Sequence, residues 1–137
     1  MSRLATLARA LAARWPTPAI AALAQAFAEE LVLAPQGETR GPRVRLQVNS
    51  LVGVDCRATG PVDLDLGDQP GGRWVSGRHA RLFIHEGLWL VEDLGSRNGT
   101  WLNGRRIERA RVLAPGARLC FANVCFEVVL VNPEARR

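Results

Sequence analysis

Two short polar stretches carry the groups that could do chemistry. They are Ser76-Gly77-Arg78-His79 and Gly95-Ser96-Arg97-Asn98-Gly99-Thr100. Between them they offer hydroxyl, guanidinium, amide and backbone N–H donors, a set suited to an anion such as a dianionic phosphate. Charge-assisted hydrogen bonds of that kind contribute roughly 1.5–3 kcal/mol each. The donors must converge and be fixed beforehand. Loops at one end of a rigid sheet scaffold meet that demand. The residues separating the two stretches read as a β-hairpin. Leu82 and Ile84 sit on one arm and Leu88, Leu90 and Leu94 on the other, around a His85-Glu86-Gly87 turn.

The same inventory argues against catalysis. His79 and His85 are the two histidines, and a lone histidine is more often a satisfied structural residue than a catalyst. The carboxylates of Asp63, Asp65, Glu86, Glu92 and Asp93 read as strand and turn charges. No nucleophile motif, Walker loop or metal-ligand cluster accompanies them. The expectation is a binding protein without enzymatic activity, metal or cofactor. Cys56, Cys120 and Cys125 lack metal-ligand spacing, and an odd number does not make a self-contained disulfide framework. Cys120 and Cys125 face one another across an expected hairpin, and buried, reduced thiols are the expected state.

The elements that must position the polar stretches are short strands. Val44, Leu46 and Val48 alternate, as do Val62, Leu64 and Leu66. Trp101-Leu102 runs into Asn103-Gly104, a strong hairpin-turn signal. Leu119, Phe121, Val124, Phe126 and Val128 close the pattern. Many short strands at this spacing predict a mainly β chain folded as a sandwich of two antiparallel sheets over residues 43–131.

Before residue 34 the period is helical. Leu4, Leu7, Ala8, Leu11, Ala12 and Trp15 share one helix face, and Pro16 stops that helix. Ile20, Leu23, Ala24, Phe27 and Leu31 line a second, which Thr17-Pro18 opens and which ends before Pro35. Residues 1–33 are thus predicted as a helical hairpin, 34–42 as a Pro/Gly-rich linker and 132–137 as a tail. The two apolar stripes need a cover. The sandwich, a second copy of the chain or a helix-binding partner would each serve.

All 18 basic residues are arginine, and the net charge of +5 favours an acidic partner. The arginines are dispersed apart from Arg105, Arg106, Arg109 and Arg111, which read as a solvated hairpin edge, so nucleic acid is not the expected ligand. No apolar run reaches membrane-spanning length, and the expected location is the cytoplasm.

The two polar loops, their spacing and the Trp-Leu-Asn-Gly that follows at 101–104 resemble the forkhead-associated (FHA) domain. That family is a β-sandwich that binds phosphothreonine peptides. The resemblance covers about residues 43–131. It implies that the Ser76 hydroxyl donates to the phosphate, that His79 ties the two loops together, and that Asn98 clamps the peptide backbone. Arg78 and Arg97 add charge at the rim. Gly95, Ser96, Gly99 and Thr100 shape and stabilise the second loop. The family's principal phosphate contact is an arginine following a glycine on an earlier strand. Two alignments compete for it. In one, Cys56-Arg57 takes the place of Gly-Arg and Arg57 keeps the contact. In the other, which keeps the glycine and is slightly favoured, Gly53-Val54 takes that place and the arginine has become Val54. Arg57, the expected stand-in arginine, then sits in the following loop and swings back, with Arg73 or Arg78 as substitutes. The resulting expectation is a phosphothreonine-reading interaction module of a bacterial signalling or secretion assembly. The alternative is a phosphate-independent scaffold or oligomerisation domain acting through residues 1–33.

Overall fold

The computed structural model describes residues 30–131 of the chain. Eleven strands form two sheets. β1 (Glu30–Gln36), β2 (Val44–Leu46), β7 (Thr100–Leu102), β8 (Arg105–Arg106), β10 (Arg118–Phe121) and β11 (Val124–Val131) make one, in the order β2-β1-β11-β10-β7-β8. β3 (Ser50–Gly53), β4 (Leu64–Asp65), β5 (Arg78–His85), β6 (Leu88–Asp93) and β9 (Arg111–Val112) make the other, in the order β4-β3-β5-β6-β9. All pairings are antiparallel except β3–β4, which is parallel.

Alternation along the strands builds the core between the sheets. Leu119, Phe121, Val124, Phe126 and Val128 are all buried, as their spacing predicts. The β5–β6 hairpin differs in register from the sequence pattern. Leu82 faces Val91 and Ile84 faces Trp89, so Trp89 and Val91 enter the core while Leu88 and Leu90 are half-buried. The largest buried side chain on this hairpin is a tryptophan that leucine counting passes over. Val48 belongs to no strand and is 70% exposed.

The sandwich starts earlier than residue 43. Glu30–Gln36, expected as the end of a helix and the start of a linker, is strand β1, paired along its length with β11 from Glu30↔Val131 to Gln36↔Cys125. Leu31 and Leu33 are fully buried against the core. Seven cross-strand partners outweigh a local helical preference, which amounts to a few tenths of a kcal/mol per residue. Pro35 lies beyond the last β2 partner, where β1 is an edge strand and proline is tolerated. The predicted helices otherwise fall on residues 1–29, outside the described residues, as does the 132–137 tail. Among the described residues the helical conformation is confined to one 3-10 turn, Gly72–Trp74, and none is long and apolar enough to cross a membrane.

The cysteines depart from expectation in one respect, the oxidation of Cys120 and Cys125, while the facing positions of that pair and the free Cys56 agree with it. Cys120 and Cys125 stand opposite each other in the β10–β11 hairpin and are joined by a disulfide. Cys56 is free.

The topology gathers the polar loops. β3, β5 and β6 are antiparallel neighbours, so the end of β3 (Gly53), the start of β5 (Arg78) and the end of β6 (Asp93) lie together. β7 begins nearby at Thr100, which pairs with Phe121 before the β10–β11 turn.

Candidate functional site

The second polar loop is organised around Asp93. Its Oδ2 accepts the backbone N–H groups of Gly95 and Ser96, both at 3.0 Å. Its Oδ1 accepts the hydroxyls of Ser96 and Thr100, the latter at 2.7 Å. A carboxylate accepting from four donors is held ionised. Partial burial raises its pKa, but the hydrogen bonds from Ser96 and Thr100 outweigh that and lower it. Ser96 Oγ in turn accepts the Gly99 N–H at 3.0 Å. Gly99 needs the left-handed conformation (φ 84°) and has Arg106 lying over it, with Nε 2.6 Å from where a Cβ would stand.

His79 joins the loops. It is fully buried at the second position of β5, edge-on to Phe121 at 5.9 Å. Nδ1 accepts the Ser76 N–H at 3.0 Å. Nε2 lies 2.8 Å from the Gly99 carbonyl oxygen. Because Nδ1 accepts, Nε2 carries the proton and donates, so the ring is neutral with one tautomer. Burial lowers its pKa, more than the Gly99 bond and Asp93 raise it.

Ser76 and Asn98 are brought together by this frame. Ser76 Oγ accepts the Arg97 N–H at 3.1 Å, which leaves its own hydroxyl hydrogen free to donate outward. Asn98 Nδ2 donates to the main-chain carbonyl of Trp74 at 2.8 Å, and the Trp101 indole N–H donates to the main-chain carbonyl of Asn98 at 3.0 Å. An open depression of about 320 Å³ is lined by Arg73, Trp74, Val75, Ser76, Gly77, Arg97 and Asn98. Arg73 and Trp74 come from the 3-10 turn. The Arg73 guanidinium stacks 4.6 Å from the Trp74 ring centroid, and Trp74 is 47% exposed. A tryptophan in a Gly-rich segment, outside any alternating run, is the signal by which sequence reading could have found it.

Arg57 and Arg78 are not among the lining residues. Arg78 is exposed at the start of β5 and lines a separate depression with Asn49, Arg81 and Phe83. Arg57 is exposed on the turn closed by the Cys56–Gly60 bridge. That turn packs on the site from behind, with Thr59 filling the space a Gly77 side chain would need.

The glycine of β3 lies in close contact with the Ser76 loop. A Cβ on Gly53 would overlap the Gly77 carbonyl oxygen and sit 2.9 Å from that of Ser76. The Val54 N–H donates to the same Gly77 oxygen at 3.2 Å. Gly53 is therefore the strand glycine that lets the Ser76 loop approach. The residue after it is Val54, half-buried against the core.

A two-sheet sandwich with a histidine-tied pair of polar loops at one end is the FHA architecture. The FHA domain model matches residues 51–122, more than half of the chain, and the chain belongs to that family. FHA domain-containing protein FhaB of Mycobacterium tuberculosis is 49% identical over 37 residues, covering 27% of this chain and 24% of that protein. This chain thus matches about a quarter of the length of that relative. The FHA domain of the CT664 protein from Chlamydia trachomatis is 27% identical at a TM-score of 0.61, covering 73% of this chain and 96% of that one. Mycobacterium tuberculosis EmbR, solved in complex with a low-affinity phosphopeptide, shares the fold at 22% identity and a TM-score of 0.62. The match covers 75% of this chain and 25% of that one.

Proposed function

We propose that the groove between the Ser76 and Asn98 loops binds a phosphothreonine-containing segment of a partner protein. The observation that carries this is the convergence of Ser76, Asn98, Arg73 and Arg97 on one open groove, with both loops pinned through His79. The Ser76 hydroxyl donates to a phosphate oxygen. Arg73 and Arg97 supply the charge that the family draws from the strand arginine, here replaced by Val54. Asn98 has an amide hydrogen and a carbonyl oxygen left over, one donor and one acceptor, which match a peptide unit of the ligand. The phosphopeptide bound by the EmbR neighbour supports the same ligand class. The module acts by binding, without catalysis. Its proposed setting is the cytoplasmic side of a bacterial signalling or secretion assembly, in keeping with the bacterial origin of the FhaB relative.

The test is a titration of the full chain with a degenerate phosphothreonine peptide library and with its unphosphorylated twin. Binding that requires the phosphate and falls about tenfold or more in Ser76→Ala supports the reading. Val54 favours a second reading, a phosphate-independent scaffold. Equal binding of the two libraries, unaffected by Ser76→Ala and Asn98→Ala, would establish that reading and overturn the first.

A further inference from the structure

Four arginines stand apart from the groove: Arg105 and Arg106 on β8, Arg109 in the following turn and Arg111 on β9. β8 ends one sheet and β9 ends the other, so both flank the same lateral seam of the sandwich. All four side chains are exposed. The ion pairs among the described residues are Arg45–Glu30, Arg81–Glu92 and His85–Glu86, and none of them involves this group. Glu108 is the one acid between positions 102 and 112. A depression of about 330 Å³ opens here, with Leu102 and Ile107 in its lining and Arg105, Arg106 and Arg111 around them.

Charge on an edge strand has a simple purpose, which is to discourage pairing with another sheet. Mixed charges serve that purpose as well as one sign does. Four arginines against one acid within seven residues, three of them lining one depression, ask for an anionic occupant. The β8 and β9 strands are two residues each, which gives a short contact line. A duplex needs a longer row of phosphate contacts, on the order of six or more, for tight binding. Arg106 lies over Gly99, the residue after the groove's Asn98, so the seam begins close to the groove.

We infer that this arginine seam binds an acidic polypeptide segment, carried by the same partner chain that places its phosphothreonine in the groove. The link to the phosphothreonine rests on the proposed function, whereas the affinity of the seam for an acidic segment does not.

The test uses the full chain and four probes: a short phosphothreonine peptide with neutral flanks, the same peptide extended by a run of Asp and Glu, the acidic run alone, and a duplex DNA of matched charge. The extension should strengthen binding about five- to tenfold at low salt, and most of that gain should vanish at high salt. Arg105→Gln/Arg111→Gln should abolish the gain while leaving the short peptide unchanged, because neither residue lines the groove. Ser76→Ala should weaken both phosphopeptides and leave the acidic run unaffected. If no phosphopeptide binds, the proposed function fails, and salt-dependent binding of the acidic run alone, lost in the double variant, still supports the seam. An extension without gain, a gain that survives the double variant, or DNA bound more tightly than the acidic peptide would overturn the inference.

Discussion

The turn from Asp93 to Thr100 and the segment from Val54 to Gly60 flank the same end of the sandwich, and they are held in different ways. In the first, one carboxylate organises four donors, Ser96 is buried, and His79 ties the Gly99 carbonyl to the Ser76 backbone. In the second, the Cys56–Gly60 bridge and a Cys56–Thr59 contact close an exposed turn, the Val54 N–H donates to the Gly77 carbonyl at 3.2 Å, and the Asp65 carboxyl accepts the Asp55 N–H at 3.4 Å. The first carries every polar residue that the resemblance to the family picked out there. The second carries Val54 directly after the strand glycine Gly53. The difference separates two tasks that one motif usually combines. Placing the loops depends on a buried network that tolerates little change. Supplying charge happens at an exposed rim, where a guanidinium on one element can stand in for one on another, as Arg73 and Arg97 do in the proposed groove.

The contrast is broken most directly at Asp93. Asp93→Ala removes the acceptor for four donors, two of them from the buried Ser96 and Thr100 side chains. We expect a loss of about 3 kcal/mol in unfolding free energy, read as a fall in the urea midpoint at unchanged slope. Asp93→Asn, which keeps the shape and one acceptor oxygen, should lose about half as much. Asp55→Ala, on the exposed segment, should cost less than about 0.5 kcal/mol. Similar costs for Asp93→Ala and Asp55→Ala would remove the distinction between the two regions.

Gly53 is the hinge of the comparison, since it belongs to the strand that carries the weaker segment and touches the stronger loop. Gly53→Ala places a methyl on the Gly77 carbonyl. The expected cost is about 2 kcal/mol, from the backbone shift that overpacking forces. Phosphopeptide affinity should fall as well, because the shift moves Ser76. Wild-type stability and binding in this variant would mean that the close approach is unimportant.

Val54→Arg sharpens the claim that charge is separable from placement. It returns a guanidinium to the strand position while the network stays intact. Phosphopeptide affinity should rise about 10- to 30-fold by calorimetry, against a stability cost of about 1 kcal/mol for the half-buried site. A folded Val54→Arg that binds no better would show that the groove's charge requirement is already met by Arg73 and Arg97.

The parts of this molecule legible in the sequence are those with short-range rules. Turn chemistry gave the Asn103-Gly104 and Glu86-Gly87 hairpins, which do form, with positive φ at all four residues. Alternation located β10 and β11 and their core residues. What was hidden depends on partners distant in sequence. β1 is a strand because β11 lies beside it about a hundred residues later, while its own Phe27-Leu31 spacing suits a helix equally well. Trp74 lines the groove, next to the Arg73 already among the candidate arginines, because a 3-10 turn presents both beside Asn98, an arrangement no local period encodes. The close approach of Gly53 to Gly77 is equally hidden, because two backbones meet there and no side chain announces it.

The smallest expected effect concerns the proton balance of His79, and it tests whether the loop network depends on a neutral ring. Its Nδ1 must accept from Ser76, so protonation sets two N–H groups against each other. Burial holds its pKa below the ordinary 6.5. As pH falls through that ordinary value, the unfolded chain takes up the proton first and gains stability relative to the fold. The His79 contribution is therefore complete above about pH 6.5 and declines below it, by at most about 1.4 kcal/mol per pH unit. Asp93, whose pKa is lowered, works in a separate window: its contribution holds above the ordinary carboxylate range and is lost only as pH drops below it. Urea unfolding of the ligand-free protein between pH 7.5 and 5 should accordingly show a loss of about 1 kcal/mol, free of the phosphate's own titration. A flat profile over this range would mean that His79 accepts a proton in place, and that the tie between Ser76 and Gly99 survives on a single hydrogen bond.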